Sequence, residues 1–389
     1  LLADSTFSIQ PLPQIVFGRG VAGRMPEHLQ RAGLAGRSVL IATDPGLVAA
    51  GLVDPVARAL EGAGHPVAVF PWIDANPTDR NVVAGAEVLR ELAEPFVLAL
   101  GGGSAMDAAK AIALLGPNAG GLDDIVLGRQ PARPGAPVVA IPTTAGTGSE
   151  TNMFAVITDT TAGRKRYVAH PSVQPRLTLL DPEVTIGLPP YPTATCGMDV
   201  LTHAIEAFTA RGATPYSDGV ALAAIEAVGR WLPRAVDEGT DVEARARMLL
   251  ASNMAAIAFN VAGLGACHAT GHPLSARLHA PHGQTLATML PHVMAENADV
   301  CAVRYARVAV ALGAAKSGAD DAANARAAID AVCQLRSRVG VERTIRELGG
   351  SPERIPQLVE DALADMILVT NPKPLSAAQL TRLYEAAMG

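Results

Sequence analysis

Phe96-Val97-Leu98-Ala99-Leu100-Gly101-Gly102-Gly103-Ser104 is a short apolar run that ends on three glycines, and a helical stretch from Ala105 to Leu115 follows it. An unbroken apolar run of this length reads as a strand buried on both faces, the kind found in parallel sheets. The glycines let a backbone approach a pyrophosphate with no Cβ in the way, and the N–H groups that open the next helix favour anionic oxygens. The spaced G-x-G-x-x-G fingerprint is absent, and a Gly-rich strand end also serves as a plain tight turn.

Outward from this run, Ser38–Thr43, Val67–Phe70 and Val138–Ile141 are further apolar runs closed by Asp or Pro. Between them lie amphipathic stretches, Val48–Glu61 and Asn81–Leu92, the latter opened by Thr78 or Asp79 as cap. Strand–helix alternation of this kind predicts an α/β domain whose parallel sheet is covered by helices on both faces. A second turn, Pro142-Thr143-Thr144-Ala145-Gly146-Thr147-Gly148-Ser149-Glu150, joins permissive glycines to hydroxyl donors and suits a phosphate or a ribose. Asp44, at the end of an early strand, can accept hydrogen bonds from an adenosine ribose and repel a 2′-phosphate, which favours NAD over NADP. Standing before Pro45, it can also cap a helix.

At 389 residues the chain exceeds what one core usually serves, so two domains are expected. The texture changes after about Pro182, where Pro189, Pro190 and Pro192 form a break. Beyond it, Ala- and Leu-rich helical periodicity runs through Thr193–Ala210, Ser217–Val236, Val242–Val261, Ala322–Leu348 and Ser376–Met388. The division expected is an α/β dinucleotide-binding domain over residues 1–182 and an all-helical metal-binding domain over 183–389.

A net charge of −6 with scattered Lys and Arg offers no basic stripe for nucleic acid or an anionic membrane, so a small-molecule partner is favoured. Cys196, Cys267, Cys301 and Cys333 lack CxxC spacing and read as small, buried, reduced residues, which fits a cytoplasmic enzyme. Leu1-Leu2-Ala3-Asp4 shows no basic leader or apolar signal region. Met248 to Ala276 carries no charged residue, yet its Asn, Ser, His and Pro content fits a buried helix better than a bilayer span.

Five of the nine histidines, His268, His272, His279, His282 and His292, fall between Cys267 and Val293. Upstream, Asp199 and His203 stand four residues apart, so on a helix both leave one face and can bind one ion. The same spacing relates His268 to His272, and His282 in Pro281-His282-Gly283 could close the shell from a loop. One carboxylate with imidazoles suits a borderline divalent ion such as Fe²⁺ or Zn²⁺.

These residues, in this order, resemble the iron-containing (group III) alcohol dehydrogenase family over nearly the whole chain. The likeness is carried by Phe17-Gly18-Arg19-Gly20, Asn76-Pro77-Thr78, the Gly101–Ser104 run with Asp107, Pro142 through Glu150, and Gly197-Met198-Asp199 with His203-Ala204-Ile205-Glu206. The His268, His272 and Pro281-His282-Gly283 block and Thr370-Asn371-Pro372 complete it. The resemblance implies the two-domain plan shared with dehydroquinate synthase, an NAD cofactor and one divalent metal. It implies Asp199, His203, His268 and His282 as ligands and His272 beside the nicotinamide. Asn76, Gly101, Gly102, Gly103, Ser104, Asp107, Thr143, Thr144, Thr147 and Lys165 are implied as cofactor contacts, joined by Asp44. A homodimer acting on a small alcohol or aldehyde is the assembly expected.

One departure bears on substrate. After His272-Pro273-Leu274 many members continue with Gly and two aromatic residues, whereas here Ser275-Ala276-Arg277-Leu278-His279 follows. If Arg277 or His279 points toward substrate, a carboxylate or phosphonate would find a charged partner. Phe154 and Phe259 are further pocket candidates. The function expected is NAD(H)-linked interconversion of a small primary alcohol and its aldehyde. The alternative is reduction of an anionic aldehyde or oxo acid of the maleylacetate, semialdehyde or phosphonoacetaldehyde type. A dehydroquinate-synthase-like lyase and a non-catalytic binding protein are the rivals.

Overall fold

The computed structural model describes residues 7–9 and 11–389, so the Leu1-Leu2-Ala3-Asp4 leader reading lies outside the described residues. The chain forms two compact units, Leu12–Leu188 and Pro189–Gly389, with the described residues up to Pro11 belonging to the second.

The first unit contains β1 (Gln14–Phe17), α1 (Met25–Arg31), β2 (Val39–Ala42), α2 (Pro45–Ala49), α3 (Val53–Gly62), β3 (Val67–Phe70), α4 (Asp79–Arg90), β4 (Phe96–Gly101), α5 (Gly103–Leu115), α6 (Leu122–Ile125), β5 (Val138–Pro142), β6 (Phe154–Asp159), β7 (Arg164–Ala169) and β8 (Leu177–Leu180). Six strands form one sheet in the order β1-β8-β5-β4-β2-β3, every pair parallel, and β6 and β7 form a separate antiparallel hairpin. β2, β4, β5 and β8 are buried along their whole length, as continuous apolar runs require. One face of the sheet packs under α4, α5 and the hairpin, the other under α1 and α3. Truncating Leu98 in this core to Ala should cost about 2–5 kcal/mol.

The order places a switch point between β2 and β4, because the chain leaves β2 for the edge strand β3 and returns on β2's other side. Ligands of open α/β sheets bind outside the carboxyl ends of the strands at such a point. Asp44 follows β2 there, and the glycine run closes β4 there. The expected Val48–Glu61 helix is two helices, because Gly51, with φ +72°, turns the chain between α2 and α3. β1, β8 and the hairpin were not anticipated; Arg164–Ala169 opens on three basic residues and has no apolar run to mark it.

The second unit is helical: α7 (Pro190–Thr209), α8 (Pro215–Asp237), α9 (Val242–Ala262), α10 (Ala266–Leu278), α11 (His282–Ala311), α12 (Asp321–Arg338), α13 (Ile355–Ala364) and α14 (Ala377–Ala386), with a 3₁₀ segment at Met366–Thr370. The expected Ala322–Leu348 helix stops at Arg338, where Gly340 turns at φ +74°. The uncharged Met248–Ala276 stretch divides between α9 and α10, which meet at 111°, and no single helix is long and apolar enough to cross a membrane. Gly263 makes that corner at φ +85°, where a Cβ would come within 2.9 Å of Thr370.

Candidate active site

α7 opens on Pro190 and Pro192, tolerated in a first turn whose N–H groups lack intrahelical partners. Asp199, His203 and Glu206 then follow at four- and three-residue steps, so they share one face. Gly197 lets that helix meet α8, since a Cβ would lie 2.2 Å from Leu232 Cδ1. α10 brings His268, and His282 is the first residue of α11. The Pro-His-Gly turn has a steric reason: a Cβ on Gly283 would stand 2.1 Å from the Thr195 carbonyl oxygen of α7.

The four side chains converge on Asp199 Oδ1, with His203 Nδ1 at 3.4 Å, His268 Nε2 at 3.7 Å and His282 Nε2 at 3.8 Å. The ligand atoms of Asp199, His268 and His282 all lie within 4.8 Å of one another. His203 stacks on His268 at 4.6 Å and on Phe259 at 4.7 Å. Asp199 Oδ1, His203 Nδ1 and His268 Nε2 are buried without a hydrogen-bond partner among the described residues. Orphaned polar atoms of this kind are costly, and a shared cation satisfies all three at once. The donor set therefore fits a divalent ion.

Electrostatics agree with that fit. Burial alone would raise the Asp199 carboxyl, but His203, His268 and His282 outweigh it and hold it below the usual carboxylate range. Burial lowers His203 to about 4, keeping it the neutral imidazole a cation requires. His268 is pushed the other way: burial opposes its charge, but Glu206 and Asp199 prevail and raise it to about 9.

His272, one turn beyond His268, stands beside the cluster, its ring 5.4 Å from that of His282. Its Nδ1 bonds to Asp365 Oδ2 at 2.7 Å. α10 continues past Pro273 to Leu278, and Asp365, 93 residues away in sequence, holds the ring. Arg277 pairs its guanidinium with Asp361 through two bonds, 2.5 and 3.0 Å. His279 is exposed at the left-handed C-cap of α10, φ 53°.

In the first unit the two turns lie side by side, because Gly101 of β4 pairs with Pro142 of β5. A Cβ on Gly102 would approach Thr144 Cγ2 at 3.2 Å, and one on Gly103 would meet Thr147 Cγ2 at 2.6 Å. Among the described residues no side chain caps α5, so its first N–H groups suit an anion. Thr143 is buried at the end of β5. Asp44 Oδ1 caps α2 through Leu47 N at 3.1 Å, while Oδ2 lies 3.6 Å from where a Gly101 Cβ would be. Lys165 Nζ donates to Asn76 Oδ1 at 3.1 Å, and Ser104 Oγ donates to the Ala75 carbonyl at 2.6 Å. Asp107 accepts from Ser149 Oγ at 2.6 Å and Val156 N at 2.9 Å, so both its oxygens tie the second turn and the hairpin to α5. Phe154, at the start of the hairpin, is 40% exposed.

Lys110 was not anticipated. Fully buried, its Nζ donates to Ser149 Oγ at 2.6 Å, Asn152 Oδ1 at 3.1 Å and the Phe154 carbonyl at 2.7 Å. Burial lowers it from 10.5 to about 8. Between those values the unfolded chain keeps a proton that the folded chain releases, so this group makes stability rise with pH across that window. Lys110→Met should erase that rise in the thermal midpoint and cost about 3 kcal/mol, because Asn152 Oδ1 and the Phe154 carbonyl lose their buried donor and Asp107 loses the nearby cation that offsets its burial. Of the cysteines, Cys267 and Cys301 are buried while Cys196 and Cys333 are half-buried, and none forms a disulfide.

Two family models match the chain: "Iron-containing alcohol dehydrogenase" over residues 13–182, and "Fe-containing alcohol dehydrogenase family, C-terminal" over residues 193–388. A probable alcohol dehydrogenase, EutG, of Salmonella typhimurium is 43% identical over 382 residues, 98% of this chain and 94% of the relative. The crystal structure of a 1,3-propanediol oxidoreductase superposes with TM-score 0.94 at 33% identity, covering 98% of this chain and 100% of the other. A sulfoacetaldehyde reductase from Bifidobacterium kashiwanohense, solved with NAD⁺, gives TM-score 0.89 at 30% identity, covering 99% of each chain. The matches span both units, and the chain belongs to the iron-containing alcohol dehydrogenase family of alcohol and aldehyde oxidoreductases.

Proposed function

We propose that the protein interconverts a small, neutral primary alcohol and its aldehyde with NAD(H), using one Fe²⁺ or Zn²⁺ held by Asp199, His203, His268 and His282. The observation that carries this reading is the convergence of three orphaned, buried ligand atoms beside a histidine that binds none of them. Bound there, the ion supplies Lewis-acid polarisation of the substrate oxygen, and NAD supplies the hydride acceptor. Asp365 accepts the Nδ1 proton of His272, which leaves Nε2 to take the hydroxyl proton on oxidation and return it on reduction. Phe259, stacked on His203, supplies an apolar wall next to the ligands. The first turn of α5 with Gly102 and Gly103 would hold the pyrophosphate beside Thr144 and Thr147, and Asp44 would accept from the ribose hydroxyls, which favours NAD.

The pairing of Arg277 with Asp361 supports a neutral substrate, because a carboxylate or phosphonate would have to compete with Asp361 for that guanidinium. NADH oxidation by Fe²⁺- and Zn²⁺-loaded protein, with matched neutral and carboxylate- or phosphonate-bearing aldehydes, tests it. The neutral set should turn over at least tenfold faster in kcat/KM, about 1.4 kcal/mol of discrimination. Preference for the charged set would sink the neutral reading, and silence from both with metal bound would favour the lyase.

A further inference from the structure

α10 begins at Ala266 behind Gly265, which has no side chain with which to cap it. The N–H groups of its first turn therefore need acceptors from elsewhere in the chain. Asn371 Oδ1 accepts from Ala266 N at 3.1 Å, and Glu206 Oε1 accepts from Cys267 N at 2.6 Å. The other carboxylate oxygen, Glu206 Oε2, accepts from His268 Nδ1 at 2.5 Å. One side chain on α7 thus holds both the start of α10 and the imidazole of its third residue. A Cβ on Gly265 would stand 3.0 Å from both Glu206 Oε1 and Asn371 Oδ1, so a side chain there would crowd that grip.

Glu206 is 6% exposed, and its surroundings leave it little freedom. It borders a small cavity of about 10 Å³ that Asn297, Tyr305 and Asn371 also line. Asn297 and Asn371 bond to each other in both directions at 3.0 Å, which fixes the wall facing the carboxylate. Donation of the Nδ1 proton to Glu206 leaves His268 Nε2 as a lone pair, 3.7 Å from Asp199 Oδ1. Outer carboxylates of this kind orient a ligand imidazole and raise its basicity.

We infer that Glu206 is the positioning residue of the metal site: it fixes His268 with Nε2 toward Asp199 and, with Asp199, supplies the two negative charges that balance a divalent ion. This rests on the assignment of Asp199, His203, His268 and His282 as ligands. Glutamine at this position can serve one of the two N–H donors through its oxygen, while its amide nitrogen opposes the other.

The test is Zn²⁺ affinity of the full chain, measured by competition with a chromophoric chelator. Glu206→Gln should weaken Zn²⁺ binding 10–100-fold, the usual effect of losing such a partner, with NADH affinity unchanged. In a His268→Ala background the same substitution should cause a clearly smaller loss, because the positioning of that ring is already gone. Native-like Zn²⁺ affinity in Glu206→Gln, or a full additional loss in the His268→Ala background, overturns the inference. Should Glu206→Gln not fold, Glu206→Asp, one methylene short of both donors, must show weakened Zn²⁺ binding, and native-like affinity there overturns it equally. A native chain that takes up no Zn²⁺ would instead overturn the ligand assignment itself.

Discussion

Asp199→Asn is expected to eliminate stoichiometric divalent-metal binding and to lower turnover by roughly 10³-fold. Asp199 Oδ1 is the atom on which all three imidazoles converge, at 3.4 to 3.8 Å, so its charge is central to the site. Burial opposes that charge, and the surrounding histidines outweigh the burial. An amide retains the shape but leaves a cation facing neutral donors alone. Lewis-acid polarisation contributes several kcal/mol to a transition state, and each 1.36 kcal/mol is a factor of ten. Metal content per chain and NADH oxidation are the two readouts. Full metal content in Asp199→Asn would remove this residue from the ligand set.

His272→Asn should leave metal content intact and lower kcat by about 10²–10⁴-fold, the range for loss of a general acid–base group. Its ring sits beside that of His282 at 5.4 Å, yet its Nδ1 is engaged by Asp365, so it is oriented without being needed as a ligand. The pH dependence of kcat/KM should lose one ionisation, and Asp365→Asn should reproduce the change more weakly. An unchanged pH–rate profile in His272→Asn would exclude a proton-relay role. If metal content fell instead, His272 would be a ligand.

The two substitutions separate groups that look alike in sequence. Asp199 with His203 and His268 with His272 share a four-residue spacing, and spacing alone makes both pairs equally good ligands. In the folded chain His268, through Nε2, and His282 join Asp199 within 4.8 Å, while His272 turns to Asp365. Glu206 was within reach of the same reading, being three residues beyond His203 on the same helical face. Asp365 and Asp361 were not, since the side chains that meet them are 93 and 84 residues distant in the chain. Lys110 lay hidden in an Ala-rich helix with no mark of its role, and the pairing of Arg277 was hidden because its partner lies on α13.

The sequence by itself determined the parallel sheet, its Gly-rich strand ends, the helical second half and the face on which Asp199 and His203 stand. Each of these depends on the period of one element: unbroken apolar runs for buried strands, and 3.6 residues per turn for a helical face. Tertiary structure alone decided which histidines converge, that Glu206 grips His268, that Asp365 orients His272 and that Asp361 pairs with Arg277. Those outcomes depend on how α7, α10, α11 and α13 pack, and packing brings together residues whose separation along the chain carries no periodic trace.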